Sequence, residues 1–191
     1  MSFDFETKIS GKFINEKVII LNPKMQAILV ERGFGESEKN TLILDSFETL
    51  YLLYNNKLEL KKVNKIIVFD ELLQKYIQKN DDILTQFLLY RDLRTKGYVV
   101  KDGFGFGSDF RVYERGTYRL KDAKFLIFAF NEGTQQKIGN LYKNIEQITK
   151  MGKEPIIAVI ERRGEIIYYK INKMNFLENK PEFEMKDFDF N

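Results

Sequence analysis

The segment Tyr90 to Gly116, YRDLRTKGYVVKDGFGFGSDFRVYERG, gathers side chains that could grip phosphate groups. Arg91, Arg94, Lys96, Lys101 and Arg111 surround a glycine-rich stretch, although Arg91 and Arg94 on a helix suit a solvated face equally well. The stretch GFGFG is not a nucleotide loop, because no Lys-Ser/Thr follows it and it does not run from a strand straight into a helix; it reads as a tight β connection. What is missing narrows the chemistry further. The 191 residues contain no Cys and no His, which removes disulfides, thiolate nucleophiles, the commonest metal ligand and the usual acid or base near neutral pH. The net charge of +3 permits contact with nucleic acid but is no dedicated basic footprint.

Hydrophobic residues make up 43% of the chain, with 17 Phe, enough to fill a core. No run is long enough for a membrane span and the N-terminus does not resemble a secretory signal, so a cytoplasmic protein is expected. Lys17 to Leu21 predicts a strand, and Asn22-Pro23 then supplies an N-cap and a first-turn proline for a helix stopping near Gly33. Thr41 to Leu44 is a second strand. Asp45 or Ser46 caps a helix with Phe47, Leu50, Tyr51 and Tyr54 at helical spacing, and a third helix covers Asp70 to Gln78. These form an N-terminal α+β domain, residues 1–80.

A second unit, 81–173, opens with a helix carrying Leu84, Phe87, Leu88 and Leu93 on one face and closing at Gly97. Strands follow at Tyr98 to Lys101, Phe110 to Glu114 and Ala123 to Phe130. A helix over Gln135 to Met151 then places Ile138, Leu141, Ile145 and Ile148 together. Finally PIIAVIE and EIIYYKI flank the turn Arg162-Arg163-Gly164. This order predicts a mixed sheet packed by helices, within an α+β class overall. Residues 174–191 are an acidic, Phe-rich tail.

The run Gly107-Ser108-Asp109-Phe110-Arg111-Val112-Tyr113 resembles the G-x-DF-x-VY strand of the tRNA-intron endonuclease family, which follows a helix ending in a K/R-G-Y/F turn. The likeness extends through AKFLIFAF and MGKEPIIAVIERRGEIIYYKI and, in the first domain, LDSFETLYLLYNNKLEL, over about residues 15 to 172. The resemblance implies cleavage of precursor tRNA without metal or cofactor. A tyrosine activates the ribose 2′-OH, a histidine protonates the departing 5′-oxygen, and a lysine offsets the charge of the transition state. The products are a 2′,3′-cyclic phosphate and a 5′-hydroxyl. In-line transfer needs that division: a base on one side, an acid on the other and a fixed cation between.

Carried onto this chain, the tyrosine is Tyr113 and the lysine is Lys153, while the segment that begins with histidine in the family is Asp122-Ala123-Lys124-Phe125. Asp122 therefore stands where the acid is expected. An arginine that clamps an unpaired base in the family is matched by Glu146, seven residues before Lys153. Singly, Tyr113 would be a packing residue at a strand end and Lys153 a helix-end cation; the surrounding motif raises them. From the residues themselves, Arg91, Arg94, Lys101 and Arg111 are RNA-binding candidates. By the resemblance Glu132 would sit in an acidic loop that plugs a neighbouring subunit, and the strands bearing Ile167 and Tyr169 would pair side by side with another subunit in an assembly of four endonuclease units. The leading expectation is a structural subunit whose paralogous catalytic partner carries a complete Tyr-His-Lys set. A catalytic subunit that has lost its histidine, and an RNA-binding scaffold that cleaves nothing, stay open beside it.

Overall fold

The computed structural model describes residues 8–172 apart from 64, 104 and 134–140. Two mixed sheets and five helices are present among the described residues. The first sheet comprises β1 (Ile9–Ile14), β2 (Lys17–Ile20), β3 (Glu36–Glu38), β4 (Thr41–Leu44), β5 (Leu58–Lys62) and β6 (Lys65–Ile67), in the order β3-β4-β2-β1-β5-β6. Its one parallel pairing joins β1 to β5. The helices are α1 (Pro23–Glu31), α2 (Ser46–Tyr54) and α3 (Phe69–Ile77). Asn22 caps α1 as its sequence requires, the side-chain oxygen accepting from the N–H groups of Lys24 and Met25 at 3.0 and 3.2 Å.

The second sheet contains β7 (Val99–Asp102), β8 (Phe110–Tyr113), β9 (Phe125–Asn131), β10 (Glu154–Ile160) and β11 (Ile166–Lys170), in the order β11-β10-β9-β8-β7. Only β9 and β10 are parallel, and α5 (Leu141–Lys150) crosses between them. One face, with Ile127, Ala129, Ala158 and Tyr168, joins the main core, where α4 (Ile83–Thr95) packs. The opposite face puts Leu126, Phe128 and Ile157 under Ile148 and Leu141 of α5. Tyr168 also donates its hydroxyl to Asp92 of α4, tying β11 to the helix. GFGFG closes the β7–β8 hairpin as expected, with the Gly103 N–H bonded to the Asp109 carbonyl at 2.8 Å. A Cβ on Gly103 would fall 1.8 Å from the Ser108 carbonyl oxygen, so no other residue fits there.

One core spans both sheets. Phe47 of α2 meets Tyr90 of α4 at 5.0 Å and stands edge-on to Phe110 of β8 at 4.9 Å, and Tyr51 meets Tyr90 edge-on at 5.5 Å. Such aromatic pairs add about 0.5–1.5 kcal/mol each beyond the area they bury.

Several expectations need correction. Leu84 is 42% exposed and Leu88 only half-buried, because the inward face of α4 runs through Ile83, Phe87, Tyr90, Leu93 and Arg94. Tyr54 is 50% exposed, its ring lying against Phe69 and Phe87. β1, β3, β5 and β6 enlarge the first sheet beyond the strands read from sequence. Ile138, the start of the Gln135 helix and the tail 174–191 lie outside the described residues. Among the described residues no helix is long and apolar enough to cross a membrane.

Candidate active site

Strand directions bring three chain segments to one end of the second sheet. Because β9 and β10 are parallel, their first residues lie together, Phe125 opposite Glu154, while antiparallel β8 brings its last residues to the same end, Val112 opposite Phe125. The Lys124 N–H bonds to the Val112 carbonyl at 3.0 Å, and the Glu154 N–H to the Lys124 carbonyl at 2.9 Å. Tyr113 at the end of β8, Asp122 just before β9 and Lys153 just before β10 are therefore neighbours by topology. Lys153 follows the helix-ending Gly152, whose φ of +72° turns the chain out of α5.

The side chains bear this out. Lys153 donates its ammonium to the Ala123 carbonyl at 2.7 Å, beside Asp122. Tyr113 and Asp122 line one groove of about 530 Å³, together with Tyr118, Arg119, Leu120 and Lys121. The groove loop is fixed by Thr117, whose hydroxyl donates to the Glu114 carbonyl and whose own carbonyl accepts from the N–H groups of Leu120 and Lys121. Tyr118 stands edge-on to Tyr113, ring centroids 5.0 Å apart at 87°. Asp122 is exposed at the rim. Lys124 is held by Glu114 at 2.6 Å and Glu154 at 3.8 Å, and the Glu114 hydrogen bond raises its pKa. A phenol and a carboxylate thus share an open groove that could admit a phosphodiester, while the Lys153 ammonium is bonded to the backbone next to Asp122.

The motif aspartate, Asp109, is structural. Its carboxylate accepts from the Ala129 N–H at 2.8 Å and from the Gln86 side chain at 3.3 Å, stitching β8 to β9 and to α4, and burial raises its pKa.

The expected RNA-binding set does not form one exposed patch. Arg94 is 3% exposed, its guanidinium 4.1 Å over Phe34 and donating to the Arg32 carbonyl. Lys101 is 5% exposed and pairs at 3.3 Å with the fully buried Glu48. Both are core cations whose partners lie on the first domain, which corrects their assignment to an RNA surface. Arg91 lies over the rings of Tyr54 and Phe87, and Arg111 is half-buried with an Nε that finds no acceptor among the described residues. The groove cations are instead Arg119 and Lys121, which sequence reasoning missed; their position between Tyr113 and Asp122 was the available signal. Glu132 is exposed and accepts from the Arg162 N–H at 3.2 Å, Glu146 pairs with Lys150 at 3.3 Å, and Ile167 and Tyr169 are 40% and 50% exposed on edge strand β11.

Comparison with known proteins identifies the family. Residues 9–73 match the family described as tRNA intron endonuclease, N-terminal domain, and residues 83–168 match tRNA intron endonuclease, catalytic C-terminal domain. A tRNA-splicing endonuclease of Methanococcus vannielii is 31% identical over 164 residues, covering 85% of this chain and 93% of that protein. One from Thermococcus onnurineus is 29% identical over 177 residues, covering 92% and 100%. A Pyrococcus abyssi tRNA-splicing endonuclease is 28% identical over 145 residues, 76% and 84% of the two chains. The chain belongs to the tRNA-splicing endonuclease family and has both of its domains.

Proposed function

We propose that this chain is the structural, non-catalytic subunit of a cytoplasmic tRNA-splicing endonuclease that cuts precursor tRNA at bulge-helix-bulge junctions. The observation carrying this reading is the groove that Tyr113 shares with a carboxylate, Asp122, at the family's acid position, with Lys153 bonded to the adjoining Ala123 carbonyl, in a chain with no histidine at all. Tyr113 is the family's base and Lys153 its fixed cation. Without a proton donor opposite them, the 5′-oxygen must leave as an alkoxide, and loss of that role costs about 10²–10⁴-fold in rate. The carboxylate adds a charge of the same sign as the substrate phosphate. A paralogous subunit with a complete Tyr-His-Lys set supplies the chemistry, which needs neither metal nor cofactor.

In an assembly of four endonuclease units this chain contributes binding surface. Ile167 and Tyr169 are apolar side chains on an unpaired sheet edge, the kind of surface a partner covers. Glu132 projects from the β9–β10 side as an acidic contact. Arg111, Arg91 and the groove residues Arg119 and Lys121 are the cations left to meet RNA.

The test is cleavage of a bulge-helix-bulge RNA by the purified chain, alone and with the histidine-bearing paralogue. No cleavage alone and restored activity in the mixture are expected. Robust turnover by the isolated chain, with cyclic-phosphate ends, would overturn the structural role. It would favour a second reading, supported by the retention of Tyr113 and Lys153, in which this chain is catalytic and Asp122 or a neighbouring chain replaces the histidine.

A further inference from the structure

We propose that Tyr118 is a positioning residue for Tyr113, and that the turn Arg32–Gly35 of the first domain holds Tyr118 in place. The first domain thereby braces the groove from behind Tyr118. The inference rests on the proposed function only in treating Tyr113 as a site residue.

Three contacts form the chain. Tyr118 meets Tyr113 edge-on at 5.0 Å, an arrangement that fixes the tilt of the second ring. Behind Tyr118 stands Gly33, with φ of +78°; a Cβ there would lie 3.4 Å from Cε1 and Cζ of the Tyr118 ring and 2.3 Å from Cγ1 of Val99. The positive φ and the approach to Val99 require glycine here, and the turn's backbone then lies behind the Tyr118 ring with room for no more than one carbon between them.

The turn is anchored from inside the protein. Arg94 donates to the Arg32 carbonyl at 3.1 Å and covers Phe34. Glu48 accepts from the Gly35 N–H at 2.9 Å, and Lys101 donates to the Gly35 carbonyl at 2.8 Å while pairing with Glu48. Phe34, Glu48, Arg94 and Lys101 are all buried. Three buried side chains, Arg94, Glu48 and Lys101, thus fix one turn whose Phe34 is itself buried, and Gly33 of that turn faces Val99 and the Tyr118 ring. Arg94 and Lys101, misread from sequence as RNA-facing, thus serve the site through the turn.

The test is tyrosine-ring NMR on the full chain labelled with ¹³Cε-tyrosine, with Tyr113→Phe to assign the signal and Tyr142, exposed at the start of α5, as internal control. In Tyr118→Ala the Tyr113 signal should shift and its ring should flip about two- to tenfold faster, the span that one edge-to-face pair supports. Tyr118→Phe, which keeps the ring edge, should restore the wild-type signal. Phe34→Leu, a first-domain change within the turn, and separately Arg94→Met, which removes the turn's anchor on α4, should move the Tyr113 signal while Tyr142 stays put. The measurement uses free protein, so it is independent of whether RNA is cut. A Tyr113 signal unchanged by Tyr118→Ala, or not rescued by Tyr118→Phe, overturns the positioning role. A response to Tyr118→Ala with none to Phe34→Leu or Arg94→Met overturns the link through the turn.

Discussion

Lys153 bonds through its ammonium to the carbonyl of Ala123, 2.7 Å away and one residue past Asp122. Lys153 and residue 122 therefore share one piece of backbone, and on the proposed reading a histidine at 122 would supply the missing acid. Asp122→His should raise cleavage of a bulge-helix-bulge RNA by the isolated chain by about 10²–10⁴-fold. Adding Tyr113→Phe should remove the gain. If Asp122→His stays silent, the defect lies in gripping the RNA, and Glu146→Arg is the next change to add.

Glu48 and Lys101 join the two domains inside the core. Lys101→Met alone should destabilise by about 3–5 kcal/mol, since it leaves a buried carboxylate without its counter-charge. Combining it with Glu48→Gln should recover much of that, because a Gln oxygen can still accept the Gly35 and Asp45 N–H groups that Glu48 now satisfies. Urea unfolding of the single and double variants checks this; a double variant no more stable than Lys101→Met would mean that the charge pairing is not what Lys101 contributes.

Asp45 gives the stability a pH dependence. Burial, reinforced by the charge of Glu48, pushes its carboxyl up to about 7. Between about pH 4 and 7 the folded chain then holds a proton that the unfolded chain has released, so stability falls as pH rises through that window and levels off above it. The melting temperature should be higher at pH 5.5 than at pH 7.5. Asp45→Asn should flatten the difference, and an unchanged slope in that variant would assign the effect to other groups.

Ile167 and Tyr169 lie on the outward side of β11, whereas Ile166 and Tyr168 of the same strand pack on the core. Ile167→Asp or Tyr169→Asp should leave the monomer folded and weaken association with the partner subunit, since an unpaired carboxylate in a dry interface is costly. Light scattering with circular dichroism separates the two effects. Association unchanged in both variants would remove β11 from the interface.

Elements with strong local signals were legible in the sequence: Asn22-Pro23 marks the start of α1, Gly97 closes the α4 segment, and the apolar runs mark β9 to β11. The short strands β3 and β5, ESE and LELKK, were not, because charged residues hide their alternation and only pairing with β4 and β1 makes them strands. The family motif was also what singled out Tyr113 and Asp122, which line one groove. The burial of Arg94 and Lys101 could not be read, because their partners Arg32 and Glu48 are 62 and 53 residues away. A cation on an amphipathic element looks solvated until such a partner is found. Tyr118 escaped for the same reason: its neighbour Gly33 belongs to the other domain.

The core shared by Phe47, Tyr51, Tyr90 and Phe110 also sets an order of events at the ribosome. When the first sheet emerges, Phe47 and Tyr51 are part of an open aromatic face, and their cover arrives only after Tyr90 and then Phe110 leave the exit tunnel. At about 5–20 residues per second that interval is roughly 3–13 s. The nascent first half is therefore a natural client for a holding chaperone, and a ribosome paused before the β7–β8 hairpin would carry a sticky intermediate rather than a finished domain.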